Sequence, residues 1–153
     1  MGIEVELKAV VRDIEALYAA LDQRASAQVS IYAERYFDYS DHRLTERGCE
    51  LRVRTIEVVV RVLTALDAEE VIAFGKHCVN YRFTAWSREL LATVVTVPEL
   101  AGQTFLELET MADAEEMDTD WEVVHCVLRE LGISDHDLTA AAYTDAVAAQ
   151  RMG

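Results

Sequence analysis

Residues 3–10 read Ile3-Glu4-Val5-Glu6-Leu7-Lys8-Ala9-Val10, and the reading of this stretch decides the fold. Ile3, Val5, Leu7 and Ala9 alternate with Glu4, Glu6, Lys8 and Val10, a period of two that argues a strand with one apolar and one charged face. A charged sheet face requires either water or an enclosed interior in which opposite charges satisfy one another. Near the other end of the chain, Thr104–Thr110 (TFLELET) repeats the pattern, setting Phe105, Glu107 and Glu109 against Leu106 and Leu108. Spacing of i, i+2 puts the carboxylates of each pair, Glu4 with Glu6 and Glu107 with Glu109, on one side of a strand about 7 Å apart. Hard oxygen donors so placed suit Mg²⁺ or Mn²⁺. Lys8, Arg52, Arg54 and Arg82, with Arg35 and Arg61 as further candidates, supply a cationic complement whose guanidinium forks grip phosphate oxygens. Taken singly, such segments are more often solvated faces whose cross-strand pairs contribute a few tenths to about 1 kcal/mol. Their joint occurrence, with Leu51-Arg52-Val53-Arg54 between them in a chain poor in basic residues, favours a barrel interior built for a metal and a polyphosphate.

Outward from these strands, Asp13 is a plausible N-cap for a helix carrying Ile14, Leu17, Tyr18 and Leu21. Residues 28–38 (QVSIYAERYFD) and 50–62 (ELRVRTIEVVVRV) are rich in β-branched and aromatic residues and read as strands, the latter with room for two. Asp38 and Asp41 read as turn formers between them. Residues 67–77 (DAEEVIAFGKH), acidic at the start and basic at the end, match a helix dipole and read as a helix. Two β-prone runs follow, Cys78–Trp86 and Leu90–Val97. Residues 111–120 read as an acidic loop that could serve as a lid, and Thr119 with Glu122 as a capping box opening a helix that Gly132 stops. A last Ala-rich helix is expected from about Leu138 to Gln150.

The chain has 153 residues, one domain's worth, and 52% of them are apolar, so a packed core is expected. Its 28 acidic residues outnumber 14 basic ones for a net charge of −14, which disfavours nucleic acid and acidic membrane surfaces as partners. No apolar run approaches a membrane span and no signal-peptide pattern opens the chain, so the expectation is a soluble, cytoplasmic protein acting on a small molecule. The three cysteines, Cys49, Cys78 and Cys126, lack CxxC spacing and read as buried thiols. Dinucleotide, P-loop, GxSxG and zinc motifs are absent.

The arrangement IEVELK, YFDYSDHRL, GCELRVR, VPELAGQTFLELET and a closing pair containing LRELGI and AAYTDAV resembles the CYTH superfamily, the class IV adenylate cyclase and thiamine triphosphatase group of triphosphate tunnel metalloenzymes, over nearly the whole chain. Its ExExK hallmark stands here as Glu4-Val5-Glu6-Leu7-Lys8 and its late ExE as Glu107-Leu108-Glu109. The resemblance implies an α+β fold with an antiparallel eight-stranded β-barrel, or tunnel, ringed by helices, and metal-dependent hydrolysis of a triphosphate or cyclisation of ATP. It implies that Glu4, Glu6, Glu107 and Glu109 hold the metal, that Lys8, Arg52, Arg54 and Arg82 bind phosphate, and it permits a homodimer. Two cations of the pattern are missing, Ala65 and Asn80 standing in their places, and Ile56 and Val58–Val60 are apolar where charge is expected. Each charge-assisted bond lost weakens phosphate binding by roughly 1.5–3 kcal/mol. A second reading follows: with Tyr36, Tyr81, Phe83 and Trp86 in the lining, the tunnel takes an organic metabolite and its paired carboxylates act as acid and base in a cyclisation or elimination.

Overall fold

The computed structural model describes residues 2–54 and 62–153. It is an α+β fold in which six strands are described: β1 (Ile3–Val10), β2 (Gln28–Asp38), β3 (Leu51–Arg54), β4 (Glu69–Ala85), β5 (Arg88–Thr96) and β6 (Thr104–Ala112). They hydrogen-bond in the order β1-β6-β5-β4-β2-β3. The pairs β1–β6, β6–β5, β5–β4 and β2–β3 are antiparallel. Three longer helices accompany them: α1 (Ile14–Asp22), α2 (Met117–Glu130) and α3 (Tyr143–Met152). The residues fall into two compact units, the first comprising Met1–Ser30, His77–Thr96 and Gly102–Ala141, the second Ile31–Lys76, Val97–Ala101 and Ala142–Gly153.

In the first unit the register runs from Ile3 opposite Ala112 to Val10 opposite Phe105, so the odd-numbered residues of β1 share a face with the even-numbered residues of β6. That face is the core: Val5, Ala9, Leu90, Ala92, Val94, Leu106 and Leu108 pack with Leu17 and Leu21 of α1 and Val124, Val127 and Leu128 of α2. Full burial of each such side chain contributes roughly 1.5–3 kcal/mol. Helix α1 starts where expected, the Asp13 carboxylate accepting the Ala16 N–H at 3.0 Å. Helix α2 starts earlier than the Thr119 capping box implies, and no side chain caps it. Its start is set by tertiary charge instead: Arg88 binds Asp120, which is 1% exposed, and reaches Glu116 at 3.0 Å. Its end is as expected, Gly132 at φ +81° with Ile133 N–H bonding Leu128 O and Gly132 N–H bonding Arg129 O.

Residues 67–77 form no helix; from Glu69 onward they belong to β4. The charges at its ends mimic a dipole pattern, but the interior is Val71, Ile72, Phe74 and Cys78, and burial alternates, with Phe74, Lys76 and Cys78 inside. Period two outweighs terminal charge. Of the expected strand 50–62, Leu51–Arg54 is β3, residues 55–61 lie outside the described residues, and Val62 is helical, as are residues 63–65. The acidic loop is shorter than expected at both ends, β6 reaching Ala112 and α2 starting at Met117. The last helix begins five residues late because Ser134 and Asp137 close a capping box around a short 3-10 turn, after which Leu138 bridges Ala9 and Thr139 N–H bonds Lys8 O at 2.9 Å. Cys78 is buried, but Cys49 and Cys126 are exposed, contrary to expectation.

In the second unit Phe37, Val53 and Ala68 form a small core. Asp38 organises the turn after β2, accepting from the N–H groups of Tyr39, Leu44 and Thr45 and from the Thr45 hydroxyl at 2.7 Å. Burial pushes its pKa up, and those donors outweigh burial and hold it at about 2.

Candidate metal centre

Each apolar residue of β1 that seats in the core turns its neighbour to the opposite sheet face. Cross-strand register then sorts that face into rows: Glu4 with Met111 and Glu89, Glu6 with Glu109, Leu91 and Arg82, and Lys8 with Glu107, Thr93 and Asn80. The first unit thus presents Glu4, Glu6, Glu107, Glu109, Lys8 and Arg82 on one face.

Glu4, Glu6 and Glu109 each offer a carboxylate oxygen, and the three oxygens lie within 4.8 Å of one another. Glu107, expected as a fourth ligand, stands one row away opposite Lys8 and outside this trio. The crowding shows in the acidities. Burial, then repulsion from Glu107, Glu109 and Glu4, raises Glu6 to about 7. Glu109 is raised as well, first by burial and then by Glu4, while its hydrogen bond with Glu6 and the charge of Arg82 pull it down. The trio consists of separate hard carboxylates, close together, with little positive charge beside them. The residues therefore fit Mg²⁺ or Mn²⁺.

Two cations share the face. Lys8 donates its ammonium to the Ala141 carbonyl. Arg82 stands across Leu91 from Glu109 and, among the described residues, has no hydrogen bond or ion pair. Asn80, in the place of a cation, donates at 3.3 Å to Ser30 Oγ and accepts from Thr93 Oγ1 at 2.9 Å, so it ties neighbouring strands together. Beside the trio a cavity of about 480 Å³ is lined by Arg82, Thr84, Ser87, Glu89, Glu109 and Met111 among others. The hairpin at its rim turns on Trp86 and Ser87, both at positive φ (51° and 61°), with Trp86 Nε1 bonded to Glu130 at 3.1 Å.

Arg52, Arg54 and Tyr36 belong to the second unit. There Arg54 Nε donates to Glu34 Oε1 at 2.8 Å, Arg52 Nε lies 3.4 Å from Glu34 Oε2, and the Tyr36 side chain hydrogen-bonds Arg52. Tyr36 stacks on Phe74 with ring centroids 5.6 Å apart. Arg35 points to the other strand face and pairs with Glu70 at 3.8 Å; Arg61 lies outside the described residues. Sequence reasoning missed Glu34, which is fully buried. Its signal was present: in Tyr32-Ala33-Glu34-Arg35-Tyr36 the alternation puts a lone acid on the face of two tyrosines. It missed Glu89 for want of a fixed hairpin register.

No helix among the described residues is long and apolar enough to cross a membrane. No protein-family model and no curated protein matches the sequence. Solved structures do. The chain is similar to a proposed adenylate cyclase from Vibrio parahaemolyticus, with a TM-score of 0.77 and 15% identity over 95% of this chain and 97% of that one. A protein from Pyrococcus horikoshii OT3 gives 0.73 and 15%, covering 97% of this chain and all of that one (100%). A proposed adenylyl cyclase from Hippeastrum, described as having a dominant triphosphatase activity, gives 0.61 and 13% over 96% of each chain. At these identities the likeness is one of fold, and it agrees with the resemblance read from the ExExK and ExE segments.

Proposed function

We propose that this protein is a metal-dependent enzyme acting on an organic or nucleoside triphosphate, by hydrolysis or by cyclisation of ATP. The observation that carries the reading is the carboxylate trio, three oxygens within 4.8 Å on the sheet face that also presents Arg82 and Lys8. The fold shared with proposed adenylate cyclases and with a protein described as a triphosphatase supports it. In this reading the antiparallel sheet is the wall of a β-tunnel.

Glu4, Glu6 and Glu109 would hold Mg²⁺ or Mn²⁺, with Glu107 adding negative field. The bound cation supplies neutralisation of charge developing on phosphoryl oxygens. The chain's own groups do the rest. Arg82 and Lys8 orient phosphate oxygens on this face, and Arg52 and Arg54 of the second unit, with Tyr36 hydrogen-bonded to Arg52, form a phosphate-binding pair of their own. Glu107 is the carboxylate left to accept a proton from the attacking hydroxyl. Water as nucleophile gives hydrolysis, and a ribose hydroxyl gives a cyclic nucleotide and pyrophosphate.

Incubation with ATP, thiamine triphosphate or tripolyphosphate plus Mg²⁺ or Mn²⁺ should release phosphate, or cyclic AMP with pyrophosphate. Silence on all three overturns the proposal. One observation favours the second reading, acid–base cyclisation or elimination of an organic metabolite: Glu6, hydrogen-bonded to Glu109 and poised at about 7, is a competent proton carrier at neutral pH. Calorimetric titration with Mn²⁺ separates the two. Heat that disappears in Glu4→Gln favours the metalloenzyme, and no heat in the native protein favours the acid–base enzyme.

A further inference from the structure

Glu34 is a carboxylate that neither the metal site nor the core requires. It is 0% exposed, while the side chains of its two partners, Arg52 and Arg54, are 42% and 36% exposed. It meets both through Nε, at 3.4 and 2.8 Å. The Arg54 guanidinium also lies 4.2 Å from the Tyr32 ring centroid. Oε1 takes the Arg54 hydrogen bond, but Oε2 accepts none. Desolvating a carboxylate is costly, and leaving one oxygen without a donor adds to the cost. Hydrogen bonding alone does not call for a charge here, because the one bond made, from Arg54 Nε to Oε1, could equally be accepted by an amide oxygen. What the charge does is electrostatic: the buried carboxylate cancels one unit of the charge that the two guanidiniums present, beyond the coulombic pull that Glu50 exerts on Arg52.

We propose that Glu34 is a specificity-determining residue, a buried counter-charge that sets the Arg52–Arg54 pair to accept a phosphate group of low charge and weakens its grip on a highly charged one. The inference rests on the reading that these arginines bind phosphate. It deepens that reading by naming what the pair discriminates: ligand charge counts for less at this pair than it would at two arginines without a counter-ion, so an organic phosphate whose charge is partly masked loses less against bare inorganic triphosphate.

The test is Glu34→Gln in the full chain, titrated without divalent metal and at low salt with orthophosphate, pyrophosphate and tripolyphosphate. Because the effect is Coulombic, the gain in affinity should grow with ligand charge, from about threefold for orthophosphate to at least tenfold for tripolyphosphate. Unchanged or weaker binding, the same gain for all three anions, or no binding by either protein overturns the inference. If the variant does not fold, ¹⁵Nε resonances of Arg52 and Arg54 in the native protein decide. They should saturate at tripolyphosphate concentrations within about tenfold of those for pyrophosphate, and a steeper preference for tripolyphosphate overturns the inference. A parallel Mn²⁺ titration reads Glu4, Glu6 and Glu109 alone. Its failure beside a charge-graded gain would bring down the metalloenzyme reading and leave Glu34 in its role.

Discussion

The two units handle surplus charge in opposite ways. On the first unit's charged face the carboxylates Glu4, Glu6, Glu107 and Glu109, with Glu89 beside them, outnumber the cations Lys8 and Arg82, and burial together with this excess raises the Glu6 pKa to about 7. In the second unit two guanidiniums stand against one fully buried carboxylate, and the excess stays on exposed arginine heads. An anion excess held close invites a small cation. A cation excess held by a buried anchor invites an anion of limited charge.

The largest break in this comparison comes from the trio. Glu109→Gln or Glu4→Gln should cut turnover by roughly 10³-fold or more and abolish calorimetric Mn²⁺ binding, because one fewer hard donor and one fewer charge face the ion. Retained Mn²⁺ affinity would show that the excess is unused. Next is a contrast between arginines. Arg54→Ala leaves the buried Glu34 carboxylate with one partner and should destabilise the protein by about 3 kcal/mol in urea, whereas Arg82→Ala, with no partner to strand, should stay within about 0.5 kcal/mol while weakening phosphate binding. Equal effects on stability would erase the difference between the units.

A smaller effect sharpens the first unit alone. A raised carboxyl binds its proton more tightly in the folded than in the unfolded chain, so the Glu6 contribution makes metal-free protein less stable as pH rises from about 4.5 through about 7. Glu6→Gln should therefore raise stability at pH 8 by about 1–2 kcal/mol after solvent screening, with little change at pH 4, and saturating Mn²⁺ should reverse the order of the two proteins. A pH-independent difference would mean the crowding is not electrostatic. Asp38 in the second unit carries the opposite sign: its lowered pKa stabilises the fold above about 3.8, and that stability is lost as pH falls through about 2. Smallest is Ser87→Gly, which relieves a positive φ at the hairpin turn and should add roughly 0.5–1 kcal/mol in thermal unfolding without altering Mn²⁺ affinity.

Alternation made β1 and β6 legible, because a half-buried strand must repeat every two residues, and with them the placement of Glu4, Glu6 and Glu109 on one face, while β-branched and aromatic content marked β2 and β5. The same rule read correctly over Phe74, Lys76 and Cys78 would have recovered β4, where end charges misled. The start of α2 was illegible for a different reason: Arg88 lies 28 residues from Glu116 and 32 from Asp120, and no local pattern announces an ion pair at that separation. Glu34 escaped because a lone acid in an aromatic strand looks like surface until its burial is known. Register, fixed only by pairing, decided that Glu107 sits a row away from the trio.

Trp86 stands at the hairpin beside the cavity, 64% exposed and fixed by Glu130, with the cavity-lining Ser87 as its next residue. The only other tryptophan, Trp121, is on α2. Replacing Trp121 with Phe would leave one indole, and its emission would serve as a built-in optical gauge of whatever enters beside Arg82, readable in a stopped-flow cell without any label.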